Sequence, residues 1–156
     1  MFRIESEKAL QRAFRSRDRK YVELPKGLQL PLFVRDYLSW VDLYGVRVFL
    51  VFVAPGSKQP TGIAFRRDQQ GDPTLAPKFC DWCQAPTGAE VGLLTTDVDS
   101  KRRVGVNVCL DLRCGERLEA LADRSGRSSL DEKARLIERM ARFASEALEL
   151  EPDAEE

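Results

Sequence analysis

The alternation of apolar and polar positions divides this chain into a run of short strands followed by helices. Ser6 can cap a helix in which Ala9, Leu10, Ala13 and Phe14 recur at helical spacing, with Arg12 and Arg15 turned outward. Pro25, Gly27 and Pro31 punctuate a loop, and Leu32, Phe33, Tyr37, Leu38 and Trp40 then supply a bulky apolar cluster. Residues Val46 to Ala54 form an almost continuous β-branched and aromatic run, the pattern of a mostly buried strand. Pro55 and Gly56 stop it, and Thr61 to Arg67 returns as its antiparallel partner. The polar, Gly- and Pro-containing stretch Gln69 to Pro77 reads as an internal boundary. Val91 to Thr96 and Val104 to Val108 predict a second hairpin, with a polar tip at residues 97 to 103.

The pattern then changes period. Leu112, Leu118, Leu121 and Ala122 give one side of a helix for which Asp111 is the expected N-cap, which would set Cys114 in the first helical turn. A second helix is announced by Ser129-Leu130-Asp131-Glu132, a capping-box sequence. Its broad apolar face runs through Leu136, Ile137, Met140, Phe143, Ala144, Ala147 and Leu148, expected to pack on its own domain or to pair with a second copy. Residues 149–156 read as a disordered acidic tail.

Chemistry enters with the cysteines. Cys80-Asp81-Trp82-Cys83 places two thiols two residues apart, and Cys109 and Cys114 follow after 25 intervening residues. A tight turn can aim the first pair at one metal, and the second pair completes a tetrahedron, so the four read as one zinc site. The alternatives are buried small side chains, disulfides, or a redox pair at Cys80 and Cys83. The last would need a strand before and a helix after the motif, and would leave the second pair without a role. Four thiolates leave no open coordination position, so the metal would be structural. The chain has no histidine, and no carboxylate or lysine constellation stands out, so the reading is of a binding protein and not an enzyme.

The order of cysteine turn, hairpin, and helix opening with the last ligand is a treble-clef zinc finger. The predicted class is therefore α+β, a small antiparallel sheet with a treble-clef zinc finger and a C-terminal helix. Residues 1–150 would form a single domain: N-terminal helix and sheet over 5–68, zinc finger over 78–124, C-terminal helix over 129–148. Leu38-Ser39-Trp40, Gly62-Ile63-Ala64-Phe65-Arg66, Cys80-Asp81-Trp82-Cys83 and Val108-Cys109-Leu110-Asp111-Leu112-Arg113-Cys114 together resemble the elongation factor G-binding protein family. The similarity spans roughly residues 5 to 122 and includes the zinc-finger domain shared with fusidic-acid resistance proteins. It implies a zinc-dependent protein-binding role in translation, with elongation factor G or the ribosome as partner. Members that confer resistance carry a further helical domain and use a histidine ligand at the position of Asn107, a role the resemblance shifts here to Cys80 and Cys83.

Charge adds a second candidate partner. The formal charge sums to zero over 25 basic and 25 acidic residues, which removes the simplest case for nonspecific nucleic-acid binding. Its distribution is uneven, with eight basic against four acidic side chains over residues 1–26 and five against nine over 127–156. Lys101, Arg102 and Arg103 at the hairpin tip could contact an acidic protein face or, as the rival reading and together with the basic N-terminal segment, ribosomal or transfer RNA. Trp40 and Trp82 read as core or metal-site cover, with partner anchoring as the alternative. No apolar run is long enough to span a membrane and no secretory signal opens the chain, so a cytoplasmic location is expected.

Overall fold

A computed structural model describes residues 1–68, 79–84 and 90–150. The expected boundary at Gln69 to Pro77 and residues 151–156 of the expected tail lie outside the described residues, but Glu149 and Leu150, its first two residues, are held in the fold by Arg102 and by Leu150 N donating to Ala144 O at 2.9 Å. The chain runs β1 (Phe2–Ile4), α1 (Glu7–Arg12), β2 (Leu32–Val34), β3 (Tyr37–Val41), β4 (Arg47–Val53), β5 (Pro60–Arg67), β6 (Val91–Asp97), β7 (Arg103–Cys109), α2 (Cys114–Ser125) and α3 (Ser129–Arg142). A π-helical turn, Phe143–Ala147, continues α3. Strands β3 to β7 form one antiparallel meander in sequence order, and β1 pairs with β2 separately.

The hairpin expected for the zinc finger extends the N-terminal sheet directly, because Arg66 and Arg67 of β5 pair with Thr95 and Leu94 of β6. Strand β4 explains why its sequence is apolar without a break. Val48, Leu50 and Phe52 face one core, while Phe49 and Val51 face another, and all five are buried. On the second face α1, capped by the Ser6 hydroxyl accepting from Ala9 N at 3.1 Å, packs Leu10 and Phe14 onto the sheet. A Cβ on Gly62 would lie 2.8 Å from the Phe14 ring, so only glycine allows this approach. Gly62 N also donates to Ala13 O at 2.8 Å.

The first face carries the cysteines and both C-terminal helices. Leu136, Met140, Ala144 and Leu148 are buried in the same cluster as Phe65, Trp82 and Leu118. The apolar stripe of α3 thus packs on its own domain, the first of the two expectations for this helix. Its cap also differs from the capping box at Ser129. Ser128 is the N-cap, and its hydroxyl accepts from Leu130 N at 3.3 Å. With two adjacent serines, a one-residue shift keeps the same chemistry. Among the described residues no helix is long and apolar enough to cross a membrane.

Candidate metal centre

Two tight turns aim the four thiols at one point. In the first, Cys83 N approaches Cys80 Sγ at 3.4 Å and Gln84 N donates to Cys80 O at 2.8 Å. Gln84 adopts φ 55°, the left-handed conformation that closes the turn. Asp81 N donates to Asn107 O at 2.8 Å, which pins this turn to β7. Asn107 therefore contributes through its carbonyl to holding the first ligand pair in place. In the second turn Cys109 ends β7, Leu112 N donates to Cys109 O at 3.0 Å, and Cys114 opens α2. Leu112 has φ 54° and is buried, a left-handed conformation that costs a branched residue about 1 kcal/mol and so must be held by its surroundings.

Tyr37 supplies that hold. From β3 its hydroxyl donates to Leu112 O and accepts from Gly115 N at 2.8 Å, tying the edge strand to the loop between the last two cysteines. A Cβ on Gly115 would stand 3.1 Å from the Tyr37 ring, so glycine permits the contact. Asp111 is not the cap that the sequence suggested. Arg113 is the N-cap and gives no side-chain cap, while the Asp111 carboxylate accepts from Arg113 N at 3.0 Å and from both terminal nitrogens of Arg117 at 2.8 Å. The tyrosine that caps the helix lies 78 residues upstream of Gly115, beyond the reach of local cap rules.

All four sulfurs lie within 4.8 Å of one another and all four residues are buried. No disulfide joins them. The Cys80–Cys114 and Cys83–Cys109 sulfur separations are 3.6 and 3.7 Å. A tetrahedron of Zn–S bonds about 2.3 Å long has edges of about 3.8 Å, so the donor set fits zinc. Its electrostatics lead to the same conclusion. Hydrogen bonds from Cys109 and Cys114 push the Cys80 thiol far down, whereas Cys114 is pushed far up by its sulfur neighbours and by burial. Four thiols packed this closely cannot all ionise alone, and a divalent cation removes that conflict.

Zinc with four thiolates carries two net negative charges, and the surroundings offset them. Cys114 sits at the positive end of α2. The Arg117 guanidinium, whose pKa is raised first by its hydrogen bond to Asp111, also interacts with Cys109. Arg139 of α3 donates to the carbonyl of Trp82, between the first two ligands. Trp82 itself is buried, its ring 6.0 Å from both Phe65 and Phe143, so it covers the site. Trp82 is core, and Trp40, half-buried, packs against Phe14 and Phe49 on the other face. Arg117, Arg139 and Tyr37 carried no sequence signal, since each acts across elements distant in the chain.

At the tip of the β6–β7 hairpin Arg102 pairs with Asp99 at 3.0 Å and Glu149 at 3.3 Å, and Arg103 pairs with Asp97 at 3.0 Å. Lys101 is exposed and has no ion pair among the described residues. The three basic residues adjoin one another, but two are already committed to carboxylates.

A family model described as the FBP C-terminal treble-clef zinc-finger matches residues 7–150. The chain belongs to this family. The match reaches Leu150, so α3 lies inside the region of likeness and not beyond residue 122, where the sequence comparison of motifs ended. Its contacts with the zinc turn through Arg139 and Trp82 give that inclusion a physical basis. No curated protein matches the chain.

Proposed function

We propose that this FBP-family chain is a zinc-stiffened binding protein, not an enzyme, whose partner is elongation factor G or another ribosome-associated protein. The choice of partner rests on the family. The observation that carries protein binding is the turn joining β3 to β4, where Leu43 is 66 % and Tyr44 82 % exposed. These two side chains are presented on a braced loop. Asp42 Oδ1 accepts from Val46 N at 2.9 Å and Arg47 N at 3.2 Å, and Glu23 Oε2 accepts from Leu43 N at 3.3 Å. A rigid turn that leaves a leucine and a tyrosine in water matches the anchors of protein interfaces, where a few buried side chains dominate affinity.

The tip formed by Lys101, Arg102 and Arg103 is a second contact in this reading, led by Lys101. RNA binding at that tip alone is disfavoured, because Asp97, Asp99 and Glu149 cancel most of its charge. The test is capture from native cytosol by the zinc-loaded full chain, together with ribosome cosedimentation. The expected result is enrichment of elongation factor G or ribosomes, reduced at least tenfold by the Leu43→Asp/Tyr44→Asp double variant. Enrichment of neither by the unaltered protein refutes the proposal.

A further inference from the structure

We propose that the open half of the sheet face opposite the zinc binds the backbone of single-stranded RNA. Helix α1 and the β1–β2 pair pack over Leu38, Trp40, Phe49, Val51 and Ala64 of this face. Beyond that cover runs a row of cross-strand partners: Arg47 of β4, Arg66 of β5, Thr95 of β6 and Gly105 of β7.

Arg47 and Arg66 stand directly opposite each other on one face, an arrangement of like charges that destabilises a sheet. Neither has a carboxylate partner among the described residues. The Arg47 guanidinium lies 4.1 Å above the Tyr21 ring, and Lys20 Nζ is 5.0 Å from the same ring. Arg17 approaches from the α1 side, where its guanidinium donates to Val98 O at 3.3 Å. Three carboxylates beside this group are occupied, Asp18 by Arg15 at 2.7 Å, Asp97 by Arg103 at 3.0 Å and Asp42 by the backbone amides of Val46 and Arg47. Four cations, Arg17, Lys20, Arg47 and Arg66, are thus left for an external anion.

Two features select nucleic acid over an acidic protein segment. The charges are carried mainly by arginine, whose planar fork matches phosphate oxygens. A half-exposed tyrosine stacked with a guanidinium offers a platform on which an unpaired base can lie. Arg47 N bonds to Asp42 of the Leu43–Tyr44 turn and Arg17 bonds to Val98 O beside the Lys101 tip, but among the described residues no bond joins the Arg66 guanidinium to either, so Arg66→Ala tests this surface independently of the protein partner.

The test measures fluorescence anisotropy of a labelled 12-nucleotide uridine RNA against the zinc-loaded full chain at several salt concentrations. A single-stranded polyanion releases about 0.7 counterion per neutralised phosphate, so four contacts give a log–log salt slope of roughly −3. The Arg47→Ala/Arg66→Ala double variant is expected to weaken binding at least tenfold and to reduce the slope by about 1.4. Arg66→Ala alone, whose guanidinium has no partner among the described residues, is expected to keep its zinc and melting temperature while lowering the slope by about 0.7. Absence of binding at 50 mM salt, an unchanged slope in both variants, or equally strong competition by polyglutamate overturns the proposal. The last result would assign the surface to an acidic protein. Loss of elongation factor G capture would not produce any of these outcomes.

Discussion

Replacing Tyr37 with phenylalanine removes one oxygen and tests how the metal site is held. The hydroxyl donates to Leu112 O and accepts from Gly115 N at 2.8 Å, so both of its bonds end in the loop between Cys109 and Cys114. Burial, with Cys114 nearby, pushes the phenol pKa well above its ordinary value, so Tyr37 remains a neutral donor at every working pH. Each hydrogen bond contributes about 1 kcal/mol net, and a buried group left unpaired adds to the loss. Leu112 O retains a long contact with Ser39 Oγ at 3.5 Å, which offsets part of it. A loss of about 2 kcal/mol follows. Metal binding is coupled to folding, so this loss carried over to the site translates into about 30-fold weaker zinc binding. Competition against a chromogenic chelator at pH 7 reads the affinity, and urea unfolding of the zinc-loaded protein reads the stability. The reasoning fails if both change less than threefold in the corresponding equilibrium constant, or if Ser39→Ala has the same effect as Tyr37→Phe.

Cys114→Ser is expected to lose stoichiometric zinc and to unfold the α2 side of the sheet, since metal binding here is folding free energy. Full zinc loading with an unchanged melting temperature would contradict this. Lys133 is 5 % exposed and its ammonium lies 3.1 Å from both Asp36 and Glu119, which also pair or bond with Arg35. Lys133→Ala removes both the charge and the packed stem and is expected to cost about 1–2 kcal/mol. Lys133→Met keeps the stem and is expected to cost less than about 1 kcal/mol; equal urea midpoints for the two variants would show that charge alone matters.

The elements that sequence made legible are those whose patterns are local. Strand β4 announces itself because both of its faces are buried, and α3 because Leu136, Met140 and Ala144 recur on one side. The spacing of the cysteines led directly to the cluster that the fold assembles. Strand β3 was visible only as a bulky apolar group, because all five of its residues are half-buried and show no clean alternation. β1 and β2 are three residues each, too short for periodicity to register. A cap rule scans neighbouring residues and so selects Asp111 for α2, while the real acceptor, Tyr37, arrives from another strand. The row from Arg47 to Gly105 was likewise invisible, since cross-strand register is a property of the folded sheet.

X-ray absorption at the zinc edge, with elemental analysis of the freshly purified full chain, tests the central claim most directly. Four buried sulfurs in two turns predict one zinc per chain and a first shell of four sulfurs at about 2.3 Å. A shell containing nitrogen or oxygen, or protein that folds fully without metal, would contradict it.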